Sequence, residues 1–232
     1  MMPRKITLLV INPNSSESVT DGLQDVLVPP PGVVLEFYTG PGNAPAQIMD
    51  TTTGVLSAAR CFEDMVSEHL VEKYDGFLVC CFSDHPLTHL LRENTRKSVV
   101  NILEAAITQS LLIGERFGII TTGFGYKYIY HKDVRNFFGA TSERFAGLVT
   151  TGLEVLELRE GDRVHVESLI KEGAASIAAK GADVIILGCA GMAGMEEVVK
   201  QGVVEAGLPP VRIVDGAKAG VQILAGLARL ET

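Results

Sequence analysis

The chain has 232 residues, 47% apolar and 21% charged, with a net charge of -8. That is enough for one large or two small domains whose core needs neither disulfides nor metal. The acidic balance argues against nucleic acid and anionic membranes as partners, and no run reaches the roughly 18 uncharged apolar residues of a membrane span. The longest candidate, Val184 to Met195, is short and Gly-rich. At the N-terminus, Asn12-Pro13-Asn14 ends the apolar run after Ile11, so no secretory signal is expected. Cys61, Cys80, Cys81 and Cys189 lack the spacing of a disulfide scaffold, which points to reduced thiols and a cytoplasmic location.

In chain order, Lys5–Ile11 reads as a strand, Ser16–Leu27 as a helix and Val33–Tyr38 as a strand. A helix over Thr53–Lys73, a strand over Gly76–Cys81 and a helix over Val100–Gly114 follow. Phe117–Thr122, Phe145–Val149, Asp183–Cys189 and a weaker Val211–Val214 are further strands. They alternate with helices over Tyr126–Phe138, Val164–Lys180, Met195–Ala206 and Gly216–Leu230. Strands apolar on both faces and alternating with helices predict an α/β fold with parallel sheets and right-handed crossovers.

Four strands run into small polar turns: Asn12-Pro13-Asn14-Ser15-Ser16, Cys81-Phe82-Ser83-Asp84, Thr121-Thr122-Gly123 and Gly188-Cys189-Ala190-Gly191. Ser15, Ser16, Ser83 and Asp84 are residue types that cap a following helix. Ligands bind beyond the carboxyl ends of parallel strands, so these turns share the chemically active side. Two lie in each half of the chain, which predicts two similar Rossmann-like lobes facing across a cleft.

Cys81 and Cys189 are the sharpest candidates. Each ends an apolar strand just before a helix, where a helix N-terminus would lower the thiol pKa. One such cysteine reads as a small buried hydrophobe, whereas two in equivalent places read as a functional pair. Cys80 faces the other side of its strand and Cys61 sits in an Ala-rich helix, so both read as core. No metal site is expected: there is no C-x-x-C, and Pro86 interrupts the i, i+4 pair His85 and His89. Gly188, Gly191 and Gly194 lack phosphate-loop spacing and no G-x-S-x-G occurs, so neither a nucleotide cofactor nor a serine nucleophile is expected.

Ile11-Asn12-Pro13-Asn14-Ser15, Cys81-Phe82-Ser83-Asp84 and Leu187-Gly188-Cys189-Ala190-Gly191-Met192 together resemble the motifs of the hydantoin/allantoin racemases, within the aspartate/glutamate racemase superfamily. Tyr38-Thr39-Gly40-Pro41, Glu104-Ala105-Ala106 and Phe117-Gly118-Ile119-Ile120-Thr121-Thr122 add to the resemblance, which covers almost the whole chain. Bacterial members continue the first cysteine motif as Asp-Pro; here His85-Pro86-Leu87 follows Asp84, which looks like a fungal branch. The resemblance implies two pseudo-symmetric lobes, 1–98 with 216–232 and 99–215, with a C-terminal helix returning to the first.

It further implies cofactor-independent racemisation of 5-substituted hydantoins or allantoin, with Cys81 and Cys189 as the two bases. Ser83, Asp84, Thr122, Ala190 and Gly191 are then candidates to hold an enolate oxygen by backbone N–H or hydroxyl groups, in the turn that Gly188 opens. Asn12, Asn14 and Ser15 would bind the amide groups of the ring. His85 either contacts substrate, tunes Cys81 or sits at the rim. No Arg is evident at these turns to clamp a free carboxylate, so a neutral hydantoin-like substrate ranks above aspartate or glutamate. Alternatives are an amino-acid racemase or cis–trans isomerase of the superfamily, a decarboxylase (disfavoured because Cys81 is kept), or a silent small-molecule binding protein. Expected partners are the small substrate and further copies of the chain as a homo-oligomer.

Overall fold

The computed structural model describes residues 5–123 and 127–230. The first half runs β1 (Ile6–Asn12), α1 (Glu17–Val26), β2 (Val33–Thr39), α2 (Thr51–Ser67), α3 (Leu70–Lys73), β3 (Gly76–Val79), α4 (Pro86–Asn94), β4 (Ser98–Asn101) and α5 (Ile102–Ile113). The second runs β5 (Phe117–Thr121), α6 (Lys127–Phe138), β6 (Phe145–Thr150), α7 (Glu157–Glu160), α8 (Arg163–Ala179), β7 (Val184–Gly188), α9 (Glu196–Glu205), β8 (Arg212–Asp215) and α10 (Gly216–Leu230). A single 3-10 turn over Ala190–Met192 follows β7.

Two parallel four-stranded sheets result, in the orders β2-β1-β3-β4 and β6-β5-β7-β8. The orders match strand for strand, so β3 and β7, which carry the two cysteine motifs, hold equivalent places. Their residues are buried throughout, as sheets covered on both faces require. The α/β class and the two-lobed arrangement expected from the sequence are therefore present.

Three local readings need correction. The break assigned to Pro86 is a helix start: Pro occupies the first turn of α4, where its missing N–H costs nothing. Its N-cap is His85, not Ser83 or Asp84, and Ser16 caps α1 by position but without a side-chain hydrogen bond. The helix predicted from Val100 begins at Ile102, because Ser98–Asn101 forms β4 alongside β3. Asn101 and Glu104 there make reciprocal capping bonds that fix the boundary. A lobe division after residue 98 thus cuts through β4, which belongs to the first sheet. Finally, the long helix over Thr53–Lys73 is two, α2 and α3, separated at His69, whose φ of 54° is left-handed.

The helices that close each half exchange partners. α10 follows the second sheet yet packs on β1, β3 and β4 of the first, while α5 follows the first sheet and packs on β7 and β8 of the second. The two helices also pack on each other. One continuous apolar core results, running from Leu8, Val10 and Leu78 through Leu103, Ile107, Val221 and Leu224 to Ile119 and Ile186. Separate clusters fill the outer faces, around Phe77, Met65 and Leu87 in the first lobe and Ile170, Ile177 and Val199 in the second. Among the described residues no helix is long and apolar enough to cross a membrane.

Candidate active site between the lobes

The β1–α1 turn is built by its own asparagines. The Asn12 amide donates to Ser16 O at 2.9 Å and Thr20 Oγ1 at 3.1 Å, and its Oδ1 accepts from the Asn14 N–H. Asn14 Oδ1 accepts from the Ser16 N–H at 2.9 Å. Ser15 ties this turn to the next loop, its Oγ donating to Ala44 O at 2.9 Å. Gly40 backs the turn so closely that a Cβ would lie 2.9 Å from the Pro13 and Asn14 carbonyls. Asn12 and Ser15 therefore hold the loop, and Asn14 is the member that lines the cavity between the lobes.

Cys81 and Cys189 line that same cavity, one from each lobe, together with Thr122, Gly188 and Ala190. Its apolar wall comes from Phe82 of the first cysteine motif and from Val19, Ile48, Tyr130 and Val155, which no motif announced. Cys80 lines it too, because β3 ends at Val79 and strict alternation lapses beyond it. The space open to the centres of water-sized molecules there is about 30 Å³. Glycine is required before Cys189: a Cβ on Gly188 would meet the Ile120 carbonyl at 2.7 Å.

The thiols depart from expectation. Neither is acidified; burial pushes Cys81 up to about 12 and raises Cys189. The expected helix N-termini are not where the sulfurs are. α4 starts at Pro86, well past Cys81, and Cys189 opens only the 3-10 turn. Local contacts then separate the pair. Ser83 Oγ lies 3.3 Å from Cys81 Sγ and eases its ionisation, but the charges of Cys189 and Asp133 oppose it. Around Cys189, the Gly191 and Met192 N–H groups, the Thr122 hydroxyl and the Arg159 guanidinium all favour the thiolate.

Arg159 is the cation that sequence reading missed. It sits in the four-residue helix α7, too short to show a periodic signal. Its Nη2 donates to Ala193 O at 3.1 Å, and Gly22 on α1 makes room for its guanidinium. Asp84 lies away from the thiols: its N–H donates to Asp133 at 2.9 Å and its Oδ1 meets His89 at 2.7 Å. Ser83, Asp84 and His85 instead line a neighbouring polar cavity of about 130 Å³. Among the described residues no group of His, Cys, Asp or Glu side chains is arranged to hold a metal ion.

Comparison with known proteins points to a family. The sequence pattern of the Asp/Glu/hydantoin racemase family matches residues 8–224. An uncharacterized protein of Schizosaccharomyces pombe is 39% identical over 231 residues, covering 97% of this chain and 93% of that protein. A hydantoin racemase of Paenarthrobacter aurescens is 30% identical over 227 residues, covering 96% and 91%. The crystal structure of an allantoin racemase from Pseudomonas fluorescens superposes with a TM-score of 0.82 at 27% identity, covering 97% of this chain and 92% of that one. The chain belongs to the Asp/Glu/hydantoin racemase family.

Proposed function

We propose that the protein racemises hydantoin-type rings, 5-substituted hydantoins or allantoin, by proton transfer between two cysteines and without a cofactor. The observation that carries this reading is the placement of Cys81 and Cys189, one per lobe, on one small cavity between the lobes. One sulfur, as thiolate, takes the proton from the carbon beside the carbonyl, and the C–H electron pair moves onto the carbonyl oxygen as an enolate. The opposite thiol gives its proton to the other face, and the electron pair returns to carbon. Each turnover leaves the protonation of the sulfurs exchanged, so the reverse enantiomer uses the same groups in swapped roles.

The resting asymmetry supports roles for both. Cys189, better supplied with donors, holds the negative charge more readily, and Cys81 keeps its proton. Ser83, Thr122, Ala190 and Gly191 surround the sulfurs with hydroxyl and N–H groups suited to the enolate. A neutral ring fits the lining: no charged side chain is among the described residues that form the wall of the thiol cavity, although the charges of Arg159 and Asp133 act on the sulfurs. An aspartate or glutamate would bring two or three charges into that space.

Polarimetry tests the reading. The purified protein should abolish the optical rotation of D- and L-allantoin, or of 5-benzyl- and 5-isobutyl-hydantoin, and leave aspartate and glutamate unchanged. Racemisation of aspartate with every hydantoin untouched overturns it in favour of an amino-acid racemase.

A further inference from the structure

His85 follows the first cysteine motif and is only 1% exposed. Its Nδ1 accepts the Leu87 N–H at 3.3 Å, which caps α4 and fixes the proton on the other ring nitrogen. That nitrogen, Nε2, is buried and has no hydrogen-bond partner among the described residues. Burial also keeps the ring neutral, holding its pKa down at about 4. A buried N–H donor is costly to leave unmet, so a ligand acceptor is its natural partner.

The ring stands on the cavity that adjoins Cys81 through Ser83. His85 lines the polar cavity of about 130 Å³ with Ser83, Asp133 and Asn136. Ser83 joins that cavity to Cys81, its Oγ lying 3.3 Å from the sulfur. Resting on the racemase reading above, we propose that His85 is a substrate-contacting residue whose Nε2–H donates to the ring carbonyl beside the reacting carbon. A neutral imidazole N–H suits this role: it stabilises the enolate oxygen as charge develops there, without protonating it in the ground state.

Two measurements test the assignment. His85→Asn retains a side-chain oxygen to cap α4 and lacks the Nε2 donor. It should keep the melting temperature of the wild type while kcat for a racemised hydantoin falls roughly 10²-fold, with KM changed much less. A capping role alone would leave kcat untouched, and a variant within threefold of wild type overturns the proposal. Independently of turnover and of any variant, wild type labelled with ¹⁵N-histidine is titrated with unsubstituted hydantoin, which has the carbonyls but no stereocentre. The Nε2–H resonance of His85, recognised by its protonated Nε2 and bare Nδ1, should move downfield on saturation. An unmoved resonance, or no binding, also overturns it. Failure of wild type to racemise any hydantoin refutes the function above but leaves this resonance readable.

Discussion

Cys81 and Cys189 stand at matching places in two sheets of identical strand order, yet their surroundings are unlike. Cys81 has one hydroxyl partner and faces the charges of Asp133 and the other sulfur. Cys189 has two N–H groups, a hydroxyl and a guanidinium on its side. The duplicated fold places the sulfurs symmetrically, and the loops after β3 and β7 make them chemically different. A two-base racemase needs that difference at rest, because one group must hold a proton while the other lacks one.

The largest effect should come from deleting either sulfur. Cys81→Ser and Cys189→Ser should each lose at least roughly 10³-fold in racemisation, since a hydroxyl is far too weak an acid or base to replace a thiol. In D₂O, each should still exchange the α-proton of one enantiomer, and the two variants should exchange opposite enantiomers. Wild-type racemisation in either variant would break the comparison.

Alkylation sharpens it. With limiting iodoacetamide, peptide mapping should find Cys189 modified about tenfold faster than Cys81, because the thiolate is the nucleophile. The reverse order would show that Cys81 ionises more readily than Cys189.

Removing one support of Cys189 should do less. Arg159→Met keeps the buried stem but not the charge, so the alkaline rise of kcat/KM should move to higher pH and activity at pH 7 should drop several-fold. Activity of the variant equal to wild type across the profile would assign Arg159 to packing alone.

The smallest effect is on stability. Burial raises the thiols of Cys61, Cys80, Cys81 and Cys189 above their unfolded values. A raised thiol keeps its proton in the folded state while the unfolded chain releases it, so stability is complete below about pH 8.5 and falls as pH rises toward 12. The melting temperature should decline over that window, and Cys61→Ala should make the decline shallower.

Much of this arrangement was legible from residue order. Strands apolar on both faces, and turns such as Gly188-Cys189-Ala190-Gly191 at their ends, declared parallel sheets and the cleft side. The short elements were not legible: β4 has four residues and merges into α5, and Pro86 reads as a break unless His85 is known to cap. Thiol acidity was misread because proximity in sequence to a helix says nothing of where its axis begins or how deeply the sulfur is buried. Arg159 reaches Cys189 only through tertiary packing across Gly22.

The exchange of α5 and α10 sets an order on synthesis. The first sheet is complete once Asn101 has emerged, but the helix covering β1, β3 and β4 is made only after the whole second sheet. For more than a hundred residues of translation the inner face of that sheet, with Leu8, Val10 and Leu78, waits for Val221 and Leu224. Such long-range closure slows folding and leaves an apolar surface open to association on the ribosome. Chains cut short before Gly216 should therefore collect in aggregates rather than as a free-standing first lobe.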